Sequence, residues 1–388
     1  MFVKTPPMGW NSWNTFGVDI SADLICQVAD AIVAKGLDKA GYQYVVIDDG
    51  WSEKERDPET GKIVPDRKKF PNGIKAVSDY VHSKGLKFGM YSCAGVRTCG
   101  DYPGSFDHEF LDARTFAEYG CDFLKYDFCY FPDVSDCAML YRRMGNALRA
   151  CGRDILFSAC CWGTHDVWSW ARSAGVNAYR STYDIRDNFA SFSSIAKSQW
   201  QKFCYSGTEC FNDLDMLTVG MFGKGFVGMG DACTIDDYRT QFGLWCFFGT
   251  PLMLGNDVRN MTDETLELLT NRELLAVNQD PECRPPFMAY HLESSMTPEV
   301  FIFAKLLHDG DLAVGFFNCK TDSKAPEEEK FSLLFENIGF PVSSGYGLHF
   351  KDMFTGEDLG VKQEIFTVQS LPKRHCRAYR ATPVKIRN

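Results

Sequence analysis

A chain of 388 residues that is 45% hydrophobic and 14% aromatic can bury a large core, enough for one big domain and a smaller one. A formal net charge of -10 without basic runs excludes nucleic acid and anionic membrane surfaces as natural partners. No apolar run reaches the length of a membrane span, and "MFVKTPPMGW" at the start has no signal-peptide stretch, so the expected location is cytoplasmic, or secreted if a leader was removed.

In chain order, strand-like runs alternate with helical patterns up to about residue 280. Strands are expected near 6–13 and at 42–51, 86–95, 121–129, 154–163, 177–185, 211–217 and 250–257. Between them, 22–36 carries Leu24, Val28, Ala31 and Ile32 at helical spacing and ends in glycine, and 73–85 and 136–152 behave alike. Eight such βα units predict a (β/α)8 TIM barrel over 1–282, with a doubly wound sheet as the alternative. After "NQDPECRPP" the runs become short and alternating, which predicts a C-terminal antiparallel β-sandwich domain over 283–388.

Sixteen cysteines without a leader read as buried thiols, and neither a C-x-x-C nor clustered histidines suggest a metal, so no cofactor is expected. "GKGFVG" (223–228) matches a dinucleotide fingerprint but falls late in the barrel, and reads instead as a flexible loop over the site.

In a (β/α)8 barrel the site lies at the C-terminal strand ends. The expected ends carry Asp48 and Asp49, Tyr91, Lys125 and Asp127, Cys160 to Trp162, Arg180 and Asp184, and Asp213 and Asp215. One such aspartate would be an ordinary helix cap, which accounts for Asp187 or Asp213 but not for so many together. Carboxylates, cations and indoles converging on one mouth describe a sugar site. Without a metal cluster, paired carboxylates imply acid and nucleophile work on a glycosidic bond. Lys125 and Asp127 share a strand face, so the ammonium should hold that carboxyl low and ionised. Arg180 and Asp184, four apart, are expected on one strand face. Asp184 needs a raised pKa to carry a proton, with Tyr183 and Phe189 as desolvating neighbours.

The segments "TPPMGWNSWNTF", "YVVIDDGW", "LKYDFC", "YDIRDNF", "NDLDML", "PLMLGNDVRNM" and "LLAVNQDP" resemble, in order, those of glycoside hydrolase family 27, the α-galactosidase and α-N-acetylgalactosaminidase family. The resemblance spans the barrel, and the β domain is similar to the family's C-terminal domain. It implies retaining double displacement on terminal α-D-galactosides, in oligosaccharides or glycoconjugates, by a monomer or a larger assembly. It implies Asp127 as nucleophile, Asp184 as acid/base, Asp48 and Asp49 on the 4- and 6-hydroxyls, and Trp10 as aromatic platform. Tyr91, Cys99, Lys125, Trp162, Arg180 and Asp215 are implied as further contacts, and Cys99 with Cys129 as a pair that is disulfide-bonded in secreted relatives. Position 129 is expected on the strand face of Asp127, where a bridge would brace the site.

Cys161 stands where many family galactosidases have glutamate, and Thr164 where the acetamido enzymes have alanine. Galactose is the expected sugar, with a 2-acetamido or another galactose-configured sugar as the alternative. A non-catalytic sugar-binding protein is the remote alternative, against which the intact Asp127, Asp184 and Lys125 argue.

Overall fold

The computed structural model describes residues 3–386 except 134–135, 200–201, 203–204, 231–232, 291–298 and 323–326. Eight short strands make one parallel sheet: β1 Met8–Asn11, β2 Tyr44–Val46, β3 Lys87–Cys93, β4 Phe123–Asp127, β5 Leu156–Cys160, β6 Ala178–Arg180, β7 Phe211–Asp213 and β8 Leu252–Leu254. The order β7-β6-β5-β4-β3-β2-β1-β8 leaves β7 and β8 at the edges. Just past β7 the Leu217 N–H donates to Met253 O at 2.8 Å, and Gly255 N–H donates to Leu217 O at 3.0 Å, so the sheet closes on itself. Every strand is shorter than its expected run, which overran it at one or both ends; Asp48, Asp49, Asp184 and Asp215 already belong to loops.

Strand alternation sorts the barrel into two layers. Val3, Tyr44, Val46, Phe123, Leu156, Phe211 and Met253 fill the interior. Leu124, Tyr126, Phe157 and Ala159 face outward into the helix layer. The helices begin where a side chain can take an orphan amide: Ser21 accepts Leu24 N–H at the start of Ala22–Ala34, and Asp136 accepts Met139 N–H at the start of Cys137–Ala150.

Eight further strands follow: β9 Phe287–Tyr290, β10 Val300–Leu306, β11 Leu312–Asn318, β12 Glu328–Leu334, β13 Tyr346–Asp352, β14 Asp358–Lys362, β15 Ile365–Pro372 and β16 Cys376–Lys385. Six form an antiparallel sheet ordered β14-β13-β16-β11-β10-β9, and β12 pairs with β15. Phe350 stacks on Phe366 at 4.1 Å between these sheets. The sheet's other face meets the helix Ile235–Phe248, where Phe247 packs on Phe317 at 5.4 Å and Phe248 on Phe303 at 5.5 Å.

Candidate active site

Period two along β4 places Lys125 and Asp127 on the inner face, in register with Tyr91 and Cys93 of β3 and with Ser158 and Cys160 of β5. The ammonium does not pair with its strand neighbour. Lys125 Nζ lies 2.8 Å from Asp48 Oδ2, which also accepts from Asn11 Nδ2 at 2.7 Å. Asp127 instead accepts from Tyr91 OH at 3.0 Å and from the Phe128 N–H at 2.9 Å. Burial pushes Asp127 up to about 6, outweighing the Lys125 charge, which corrects the expectation of a low value. Lys125 itself is pulled down by burial, but the Asp48 carboxylate and its neighbours overcome this and hold it above its usual value.

β6 ends at Arg180, so Asp184 lies on the following loop and not on a strand face. The guanidinium still captures it: Arg180 Nη2 is 2.7 Å from Asp184 Oδ1 and 2.6 Å from Asp215 Oδ2. Asp215 also accepts the Ile185 N–H at 2.7 Å, tying the loop down. Burial pushes Asp215 up to about 6 against the pull of Arg180. Asp184 is 62% exposed. What burial it has raises its pKa, but the Arg180 and Lys125 charges outweigh that and hold it below the ordinary value. The expected raised acid is thus absent from the empty pocket. Its proposed desolvating neighbours are elsewhere, Tyr183 being 75% exposed and Phe189 packed on Phe192 at 4.8 Å.

These groups line a cavity of about 200 Å³, whose walls include Asp48, Tyr91, Cys99, Lys125, Asp127, Trp162, Arg180, Asp184 and Asp215. That is below the ~300–1,000 Å³ of drug-sized pockets and suits a single ring. Three expected contacts are not in its wall. Trp10 is fully buried on the outer face of β1 and donates to Asn256 O at 2.8 Å; Trp13 lines the pocket in its place. Asp49 is buried behind the site, where it accepts from Thr98 Oγ1 at 3.0 Å and Gly100 N–H at 2.7 Å and so fixes the loop carrying Cys99. Cys161 points out of the barrel, and Cys160 is the thiol in the wall. Thr164 is not in the wall either, and donates to Cys161 O at 2.7 Å.

Cys99 and Cys129 are disulfide-bonded, with Cα atoms 5.3 Å apart. Cys129 lies two residues past the end of β4, so it shares no strand face with Asp127. The Cys99 sulfur nonetheless sits 3.7 Å from Asp127 Oδ2. Neither Asp187 nor Asp213 serves as a helix cap. Asp213 accepts the Asp215 N–H at 2.9 Å. Asp187 accepts the Gly223 N–H at 2.6 Å and Tyr238 OH at 2.9 Å. The 223–228 segment is therefore latched rather than free, and it brings Phe226 and Val227 into the pocket wall. Trp13, Arg186 and Phe226 are wall residues that sequence reasoning missed.

Two carboxylates in unlike surroundings thus open onto one ring-sized cavity at a barrel mouth, the arrangement that work on a glycosidic bond requires. The alpha galactosidase A family (Melibiase_2) matches residues 5–280, and the chain belongs to that family. It is 49% identical over 278 residues to an alpha-galactosidase of Cyamopsis tetragonoloba, covering 71% of this chain and 65% of that one. It is 41% identical over 331 residues to alpha-galactosidase A of Cellvibrio japonicus, covering 82% of this chain and 77% of that one. The crystal structure of alpha-galactosidase I from Mortierella vinacea superposes with a TM-score of 0.88 at 32% identity, covering 100% of this chain and 99% of that one. The chain spans less than two thirds of the length of that Cyamopsis relative, of alpha-galactosidase 3 of Arabidopsis thaliana and of the Oryza sativa alpha-galactosidase.

Proposed function

We propose that this chain is an exo-acting, retaining α-galactosidase. The observation that carries this reading is the placement of Asp127 and Asp184 in one wall, Asp127 buried among hydrogen-bond donors and Asp184 exposed at the rim. A terminal galactose fills the cavity with its 4- and 6-hydroxyls toward Asp48 and Lys125. Asp127 attacks the anomeric carbon and becomes the ester, while Asp184 gives its proton to the departing oxygen. Asp184 then takes a proton from water, which attacks the ester, releases galactose and restores both acids.

In this geometry the proton placement is the opposite one, on Asp127, since that acid is raised to about 6 while Asp184 is depressed. The two placements bind the same number of protons, so titration does not tell them apart. Bound sugar favours the productive one. It displaces water from Asp184, which raises it, and it draws hydrogen bonds from Arg180 that otherwise serve the Asp184 anion.

Cys161 and Thr164 lie outside the wall, which weakens the ground for an acetamido sugar and supports galactose. Substrates are α-galactosides of the oligosaccharide or glycoconjugate kind. Parallel assays with nitrophenyl α-galactoside and nitrophenyl α-N-acetylgalactosaminide test the reading: turnover of the first is expected, and turnover of the second alone would overturn it.

A further inference from the structure

Asp184 must reach the oxygen that leaves, so the leaving group has to pass the loop that carries it. Arg186 follows two residues later on that loop and lines the cavity. Its guanidinium makes no hydrogen bond or ion pair among the described residues. The neighbouring wall is Phe226. Its side chain is 56% exposed, yet its backbone is fixed, because Phe226 N–H donates to Thr15 O at 3.1 Å and Val227 N–H to Asn14 O at 3.0 Å. The ring stands edge-on to Trp13 at 5.1 Å. It closes over Gly17, whose φ of +53° favours glycine and where an added Cβ would come within 3.1 Å of Phe226 Cδ2. Asp187 joins the two loops, accepting from Gly223 at 2.6 Å and donating its own N–H to Val227 O at 3.2 Å. An immobilised aromatic face and a cation that makes no hydrogen bond among the described residues, its charge helping to hold Asp184 low, thus line the same cavity beside Asp184.

We propose that Phe226 and Arg186 form a leaving-group subsite, and that the leaving group it fits is a second sugar ring. The C–H face of a pyranose packs on the phenyl, while the guanidinium fork takes ring hydroxyls. An alkyl or acyl chain would leave the guanidinium unmatched. The proposal rests on the galactosidase reading.

The test compares galactosyl-α-1,6-glucose with α-galactosyl fluoride, whose leaving group is too small to reach either residue, in wild type, Phe226→Ala and Phe226→Tyr. The expected result is that Phe226→Ala lowers the ratio of kcat/KM for the disaccharide over the fluoride about tenfold, and that Phe226→Tyr restores it. An unchanged ratio in Phe226→Ala, including an equal loss on both substrates, overturns the subsite while leaving the galactosidase reading intact. Failure of wild type on both substrates overturns the galactosidase reading and the subsite with it.

Discussion

Lys125 Nζ lies 2.8 Å from Asp48 Oδ2, so the ammonium two residues before the proposed nucleophile belongs to a carboxylate on another strand end. Both side chains are largely removed from water, 17% and 2% exposed. Replacing Lys125 by Met leaves a buried carboxylate without its counter-charge, a loss of about 3–5 kcal/mol. Denaturant unfolding should show this loss, and the double variant with Asp48→Asn should recover part of it, the sign of direct coupling. Both variants should lose galactoside turnover, since both groups line the cavity proposed to hold the sugar.

The acid pair predicts the pH profile. The active form carries one proton across Asp127 and Asp184. With Asp184 held below the carboxylate range and Asp127 raised to about 6, that form prevails at mildly acidic pH. Above about 6 the last proton leaves and the acid is lost; well below 4 both acids are protonated and the nucleophile is lost. The kcat/KM profile should therefore be a bell with its alkaline limb near pH 6. A plateau extending to pH 8 would contradict the assignment.

The two aspartates should separate by leaving group. Asp127→Asn should abolish turnover of every substrate and all covalent labelling. Asp184→Ala should cost about 10²–10⁴-fold on a sugar leaving group, which needs a proton, and far less on fluoride, which does not. Equal losses on both substrates would reject Asp184 as the acid.

Asp187 is buried and takes two donors, the Gly223 N–H and the Tyr238 OH, whose one proton is shared between the two carboxylate oxygens. Asp187→Ala strands these donors, which should cost on the order of 1–3 kcal/mol. It should also unlatch the loop bearing Phe226. Unfolding curves would show the first effect, and a rise in KM for the disaccharide larger than any fall in kcat would show the second.

The alternating pattern of the sequence located all eight barrel strands because each interior run is apolar and bounded by turns. It overran their ends, since Asp184 and Asp215 lie where the backbone has left the sheet and no period holds. The same period-two rule within β1 and β5 turns Trp10 outward and Cys160 inward, against the platform role that the resemblance implies for Trp10. The proton positions were not legible, because they depend on how deeply each acid is buried and which cation reaches it. Lys125 is adjacent to Asp127 in sequence, yet it is spent on Asp48.

The helix Ile235–Phe248 has no face open to solvent over most of its length: residues 237–238 and 240–248 are all buried. A helix apolar on every side needs covering on every side, and here the barrel covers one flank and the antiparallel sheet the other. Truncating the chain near residue 282 would strip Phe247 and Phe248 of Phe317 and Phe303 and leave a greasy stripe along the barrel wall. The trailing sheet therefore acts as this helix's missing solvent shield, and a catalytic half expressed without it should emerge as aggregate rather than as a smaller enzyme.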